Sequence, residues 1–269
     1  MTATTTMTQE PAQVTASSGL FTKSNLERFN KKLENLDAKT ILQWAIVTCP
    51  SLFQTTAFGL TGLVTLDMIS RLYPEEHPID LVFVDTLYHF DETLNLVDRV
   101  RAKYPNVRLH VYKPKDCDTR ADFEAKYGTE LWEKDDTLYD YLVKVEPINR
   151  AYEELGIKAA LTGRRKSQGG QRGSIPIVEQ TESGLIKINP LANWSFHDVK
   201  DYIDKYDVPY NSLLDRGYRS VGDFHSTEPV KEGEDERAGR WKGKQKTECG
   251  IHENSRFAQY LASMKVQSA

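Results

Sequence analysis

The sequence predicts an α/β protein built on a doubly wound, mostly parallel sheet, and three observations carry that expectation. Short apolar, β-branched runs alternate with longer segments whose apolar residues recur at helical spacing. The connections between them are short, as strand–helix–strand units require. The run Ile79–Val84 has the character of a strand buried in a parallel sheet, and it ends at Asp85.

The elements follow in chain order. The first twenty residues are rich in Thr, Ser, Ala and Gln and lack a periodic apolar face. They cannot bury enough surface to offset the entropy of ordering, so a flexible tail is expected. Glu10 and the lack of Arg argue against a mitochondrial presequence. Leu26, Phe29, Leu33 and Leu36 fall at helical spacing, with Ser24 as the candidate cap. Asp37 caps a second helix through Ile41, Leu42, Trp44 and Ala45, which Pro50 stops. Leu52–Thr56 reads as a strand, Ala57–Gly59 as a tight bend, and Leu60–Leu72 as a helix with Leu63, Leu66 and Ile69 inward. After the strand Ile79–Val84 come a helix over Thr93–Lys103 and a strand at Val107–Tyr112. Arg120–Asp140 reads as helical pieces over the sheet edge. Pro147 fits the first turn of a helix running to Leu155 and closed by Gly156. Ala159–Thr162 and Ile186–Ile188 are short strands, and His197–Tyr206 is a helix. Regular patterning fades beyond Tyr210. Residues 228–248 alternate acid and base with few apolar anchors, as a mobile arm does.

Composition narrows the function. A chain of 269 residues holds one large α/β domain or two small ones. Its 39% hydrophobic and 10% aromatic content supports a packed core and excludes wholesale disorder. Lys and Arg total 35 against 39 Asp and Glu, a net charge of −4. That balance argues against a nucleic-acid coat, so any anion site must be a local cluster. No apolar run approaches the roughly 20 residues that span a bilayer. Cys49, Cys117 and Cys249 are too few and too scattered for a disulfide framework or a four-cysteine metal site. They leave open one reactive thiol.

Ligands of an open parallel sheet bind outside the carboxyl ends of its strands, where strand order reverses. Four such ends should gather on one rim: Thr55-Thr56-Ala57-Phe58-Gly59, Asp85-Thr86, Lys113-Pro114 and Gly163-Arg164-Arg165. The first sets two hydroxyls before a helix start, which reads either as ordinary helix initiation or as a phosphate or sulfate cradle. It is not a P-loop, since no Lys follows. The fourth continues through Lys166 and Ser167 to Gly173, and packs four cations and four glycines into eleven residues without an acid. Guanidinium groups match phosphate oxygens and glycines let backbone N–H groups approach, so an anion site is expected there. Asp85 reads equally as a strand-end turn residue or a nucleotide acceptor, and His89 as a site or a surface histidine. Cys249 follows Arg237, Arg240, Lys242, Lys244 and Lys246. Cations enlarge the thiolate fraction of a thiol whose unperturbed pKa is about 8.5. Glu248 works against this, and His252 is a candidate partner. Cys49 and Cys117 look inert.

Taken together, the first and second strand ends, Gly163–Ser167, Tyr218-Arg219-Ser220-Val221-Gly222-Asp223 and Glu248-Cys249-Gly250-Ile251-His252 resemble the phosphoadenylyl sulfate (PAPS) reductases, above all the fungal, thioredoxin-dependent branch. The likeness runs from about Lys23 to Phe257. It implies an adenine-nucleotide α-hydrolase-like fold of the PP-loop kind, with a tail over 1–22, a nucleotide-binding domain over 23–227, and a flexible C-terminal arm over 228–269 carrying the reactive cysteine. It implies reduction of PAPS to sulfite and adenosine 3′,5′-bisphosphate in sulfate assimilation. Cys249 is the implied nucleophile, forming an S-sulfonate that reduced thioredoxin, the external electron donor, resolves; His252 stands beside it. Expected substrate contacts are Thr55, Thr56, Ala57, Phe58, Gly59, Asp85, Thr86, Gly163, Arg164, Arg165, Lys166, Ser167 and His225, with Arg237, Arg240 and Lys242 from the arm.

A related branch acts on adenylyl sulfate (APS) and carries paired cysteines that ligate an iron–sulfur cluster. This sequence has no Cys-Cys pair, so neither a cluster nor another bound cofactor is expected. That favours the substrate with the 3′-phosphate and leaves a cluster-free APS reductase of the same fold as the alternative. The resemblance favours a homodimer, with no nucleic-acid or membrane partner. Missing targeting signals and a reducing partner point to the cytoplasm.

Overall fold

The computed structural model describes residues 19–242 together with 246, 248 and 257. Among them six strands form one sheet: β1 (Leu52–Thr56), β2 (Asp80–Val84), β3 (Leu109–Tyr112), β4 (Ala159–Leu161), β5 (Val178–Gln180) and β6 (Ile186–Ile188), in the spatial order β3-β2-β1-β4-β6-β5. Every pairing is parallel except β5 with β6. Gln54 pairs with Leu81 on one side and Leu161 on the other, so the order reverses between β1 and β4.

Helices cover both faces, and β2 shows why. Leu81 and Phe83 enter a core shared with α1 (Lys23–Leu33), α2 (Ala38–Thr48), α3 (Leu60–Leu72), α4 (Asp91–Lys103) and α9 (Phe196–Tyr206). Val82 and Val84 point the other way, onto Ile148 and Ala151 of α8 (Glu146–Glu154). Each such side chain contributes about 1.5–3 kcal/mol on burial, which holds the strand between two layers. Over the sheet edge, α5 (Arg120–Tyr127), α6 (Leu131–Lys134) and α7 (Asp136–Asp140) close on an aromatic cluster of Tyr88, Phe123, Trp132 and Tyr139.

The strands and helices expected from sequence are present, with local corrections. The first helix is capped by Thr22, whose hydroxyl accepts from the Asn25 amide at 3.3 Å, because Ser24 already lies inside the first turn. It ends at Leu33, leaving Leu36 exposed beyond it, and Phe21 ahead of it is buried in the core. β5 escaped the sequence reading, since Val178-Glu179-Gln180 shows no pattern. Asn30 secures this edge strand, accepting from the Val178 amide at 2.9 Å and donating to its carbonyl at 2.7 Å. The helix around Pro147 begins at Glu146, so Pro147 stands in its first turn as expected. α7 runs into α8 through a π-helical turn at Tyr141–Val145, and Pro147 falls in the first turn after it. The wider π turn carries Lys144 inward. The part of the arm from 228 to 242 is anchored in spite of its composition: Trp241 is 4% exposed and Glu236 is buried as a charged group. No helix among the described residues is long and apolar enough to cross a membrane.

Candidate active site

A cleft of about 270 Å³ opens at the carboxyl ends of β1 and β4, where strand order reverses. The bend after β1 is built by Thr56, whose hydroxyl accepts from the Phe58 amide at 2.9 Å and holds Phe58 at φ +53°. The chain then enters α3 at Gly59 with no side chain capping the first turn. Its N–H groups are therefore left for a ligand, and the helix dipole favours an anion there. Gly163 brings the end of β4 against this turn: a Cβ there would stand 3.3 Å from the Gly62 amide nitrogen. Val82, Val84 and Ile148 supply an apolar wall.

The charged lining is strongly one-sided. Seven cations, Lys144, Arg164, Arg165, Arg172, Arg219, Arg237 and Arg240, face two carboxylates, Asp223 and Glu236. Several cations are already engaged. Arg165 is 2% exposed; its guanidinium donates to both oxygens of Glu236 at 2.8 and 2.6 Å and to the Thr61 hydroxyl at 2.9 Å. It therefore ties the β4 loop to α3 and to the chain around residue 236. Arg164 donates to Thr162 and pairs with Glu179. Arg172 grips Glu248 with two bonds of 2.7 Å, and Arg237 reaches the same carboxylate at 3.2 Å. Burial alone would raise the Glu248 pKa, but these arginines outweigh it and hold the carboxyl below its ordinary value. Glu248 is thus paired with two arginines and is not an isolated negative charge. Arg240 lies over the Trp241 ring at 4.5 Å and donates to the Val221 carbonyl.

Beneath the cleft lies a buried polar network that sequence reasoning did not assemble. Asp223 is 1% exposed and accepts from the Thr86 hydroxyl at 2.6 Å and from Tyr139 at 3.2 Å, while Lys144 stands at 2.7 Å. Burial would raise its pKa; the Lys144 ammonium overrides that and holds it well below the carboxylate range. Lys144 also donates to Asp140 at 2.9 Å. No local signal in Tyr141-Leu142-Val143-Lys144 marks this lysine, whereas Asp223 and Arg219 lie in a motif singled out from sequence.

Thr55, Thr56, Ala57, Phe58, Gly59, Thr86, Gly163, Arg164, Arg165, Arg237 and Arg240 all line the cleft. The other expected contacts stand outside its lining. Asp85 accepts from the Leu87 amide at 2.9 Å, the strand-end turn role. Lys166 faces Glu34, Ser167 donates to the Trp194 carbonyl, and Lys242 pairs with Glu228 on the surface. His225 stacks on Trp132 at 4.2 Å and meets the Tyr139 hydroxyl at 2.9 Å, so it supports the network from behind. His89 does line the cleft, with Nε2 3.1 Å from the Val84 carbonyl. Lys113 donates to the Asp118 carbonyl and stands 4.0 Å from Asp85, outside the cleft lining, because β3 lies two strands from the reversal. Cys49 and Cys117 are buried, and burial pushes the Cys49 thiol up to about 12 and raises that of Cys117. Cys249 and His252 lie outside the described residues.

Residues 51–229 match the family model described as the phosphoadenosine phosphosulfate reductase domain. The chain belongs to this reductase family. The phosphoadenosine phosphosulfate reductase of Saccharomyces cerevisiae is 60% identical over 247 residues, covering 90% of this chain and 95% of that protein. A crystal structure of a phosphoadenylyl-sulfate (PAPS) reductase from Candida auris, in a phosphate complex, is 52% identical with a TM-score of 0.71, over 77% of this chain and 98% of that one. The FMN adenylyltransferase of Candida glabrata, crystallised with FMN and an ATP analogue, shares 15% identity and a TM-score of 0.53 over 94% of this chain and 87% of that one. That likeness concerns the fold alone. The two proteins thus share the α/β sheet architecture, whose strand order here is β3-β2-β1-β4-β6-β5.

Proposed function

We propose that the chain reduces 3′-phosphoadenylyl sulfate to sulfite and adenosine 3′,5′-bisphosphate in sulfate assimilation. The observation that carries this reading is the cation-rich cleft at the open start of α3, beside an apolar wall. It suits a ligand with a flat apolar base and several anionic oxygens. Val82, Val84 and Ile148 would take the adenine, while the α3 N-terminus and Arg164 take the phosphosulfate.

In this reading the Cys249 thiolate forms a bond to the sulfonyl sulfur as the bond from that sulfur to the nucleotide phosphate oxygen breaks. Negative charge grows on the departing phosphate, where fixed arginines and amides stabilise it. His252 serves as the proton partner of the thiol. One thiolate of reduced thioredoxin then attacks the Cys249 sulfur and expels sulfite. Its second thiol resolves the mixed disulfide, so two electrons come from thioredoxin and Cys249 returns to the thiol. Glu248, the residue before Cys249, is bound by Arg172 and Arg237, which brings the chain to the cleft one residue ahead of the proposed nucleophile. A cytoplasmic homodimer without an iron–sulfur cluster completes the reading.

Mass spectrometry of the protein mixed with PAPS without reductant should show a sulfonate adduct on Cys249. Cys249→Ser should abolish turnover while keeping the binding of adenosine 3′,5′-bisphosphate. An adduct elsewhere, or full activity in the serine variant, would overturn the assignment. Faster sulfite release from APS than from PAPS would transfer it to the cluster-free APS reductase.

A further inference from the structure

Arg164 is held in the cleft by a chain of buried hydrogen bonds that starts outside it. Asn189 follows β6 directly and is 0% exposed. Its backbone N–H donates to the Ile177 carbonyl at 2.7 Å and its side-chain Nδ2 to the Pro176 carbonyl at 2.7 Å, which ties the end of β6 to the segment entering β5. The buried Thr162 hydroxyl, just after β4, stands 2.5 Å from Asn189 Oδ1. Nε and the backbone N–H of Arg164 approach the same hydroxyl oxygen at 3.2 and 3.4 Å.

Donation can run in one direction only. A carbonyl cannot donate, so Pro176 fixes which end of the Asn189 amide carries the hydrogens and leaves Oδ1 as an acceptor. Thr162 must then give its hydrogen to Oδ1, and its oxygen accepts from Arg164. With its hydrogen given and both N–H groups of Arg164 received, the hydroxyl has no capacity left for a ligand, although Thr162 lines the cleft. Asn189 stands outside the lining altogether. Nη2 of Arg164 pairs with Glu179 of β5, also outside the lining, which leaves Nη1 for a ligand.

A long side chain loses rotamer freedom when a ligand pins it, and one that the fold has already fixed does not lose it at that moment. We propose that Thr162 and Asn189 are positioning residues that fix the Arg164 guanidinium in the cleft before an anionic nucleotide arrives. Thr162 holds Nε, and Asn189 sets the direction of the Thr162 hydroxyl without reaching the ligand. The hold works against Glu179, which draws the same guanidinium toward the edge strand. The proposal rests on the reading of the cleft as a nucleotide site, and the hold on Arg164 can be tested without that reading.

Two measurements on the full chain decide it: solvent exchange of the Arg164 Nε–H without nucleotide, followed by NMR, and calorimetric titration with adenosine 3′,5′-bisphosphate. Thr162→Val should speed the exchange roughly tenfold and weaken the nucleotide roughly fivefold, while Thr162→Ser should keep both at parental values. Asn189→Leu leaves the hydroxyl in place but undirected, and should speed exchange with about a twofold loss of affinity. Parental exchange or parental affinity in Thr162→Val overturns the proposal, as does a serine variant no better than the valine one; parental exchange in Asn189→Leu overturns the share of Asn189. In an Arg164→Ala chain, Thr162→Val should weaken binding no further, because the two positions act as one. An equal further loss there would mean that Thr162 acts on the fold or the ligand directly, and overturns the proposal. Should a single variant fold poorly, Thr162→Val with Asn189→Leu removes both partners of the bond together; fast exchange and weak binding are expected, and parental values again overturn it. A wild-type chain that binds no nucleotide refutes the cleft reading and the role in binding with it, while the exchange comparison still judges the hold on Arg164.

Discussion

Strand β2 and the chain from 219 to 242, together with Lys246 and Glu248, meet around the cleft, yet different forces hold them there. β2 is wedged between helices by Leu81, Val82, Phe83 and Val84, which are all buried among apolar neighbours. The later segment is fastened by named charges: Asp223 to Lys144, Glu236 to Arg165, Lys246 to Asp140, Glu248 to Arg172. Apolar packing accepts any side chain of suitable shape and is indifferent to partner identity. A buried ion pair adds little net stability, because desolvation offsets its attraction, but it is costly to break from one side. The segment over the cleft is therefore specified by particular charge pairs in addition to the buried Trp241.

The largest expected effects test that contrast directly. Glu236→Ala strands the Arg165 guanidinium in the interior and should cost about 3–5 kcal/mol in urea unfolding. Combining Arg165→Met with Glu236→Leu should recover most of the loss. Phe83→Ala should cost about as much, 3–5 kcal/mol, through the cavity it leaves, and no single partner change should rescue it. If the Glu236 variant matches the parent in stability, the segment is not held by charge.

Next in size, Arg164→Ala should weaken the binding of adenosine 3′,5′-bisphosphate by about 1.5–3 kcal/mol, as loss of one charged hydrogen-bonding group typically does. Unchanged affinity in a calorimetric titration would remove Arg164 from the site.

Acid should separate the two regions more gently. The folded pKa of Asp223 lies below its unbound value of 3.8. Its stabilising contribution is therefore complete above that value and is lost as pH falls through it toward the depressed folded pKa. The urea midpoint should drop between pH 6 and pH 3, by about the same amount in Phe83→Ala, and less in Asp223→Asn. A profile equally steep in Asp223→Asn would locate the acid sensitivity elsewhere. The smallest effect belongs to Lys242→Ala, whose pair with Glu228 is largely exposed; it should change stability by less than about 1 kcal/mol. A larger loss would mean that surface charge also fastens the segment.

How much was legible depended on the range over which each interaction acts. β1, α3 and β6 were placed residue for residue, because their apolar periodicity and their Gly and Pro punctuation are local. The strand ends at Thr55–Gly59 and Gly163–Arg165 were read as one rim, since a parallel sheet puts them there. Lys166, Ser167 and Lys242, substrate contacts that the resemblance implies, stand outside the cleft lining, since adjacency along the chain does not say which way a side chain turns. Asp85 and His225 show the same limit: a polar residue beside a site can serve a turn or brace a network.

The sequence by itself determined the layered α/β core, the rim of strand ends, and the small set of cysteines that confines thiol chemistry, because residue order and composition carry these directly. Only the tertiary structure decided which charges face a ligand and which face each other. Arg165 meets Glu236 across 71 residues and Lys246 meets Asp136 across 110. A Coulomb partner is chosen by distance in space, and nothing in the local spacing of charges along a chain encodes that distance.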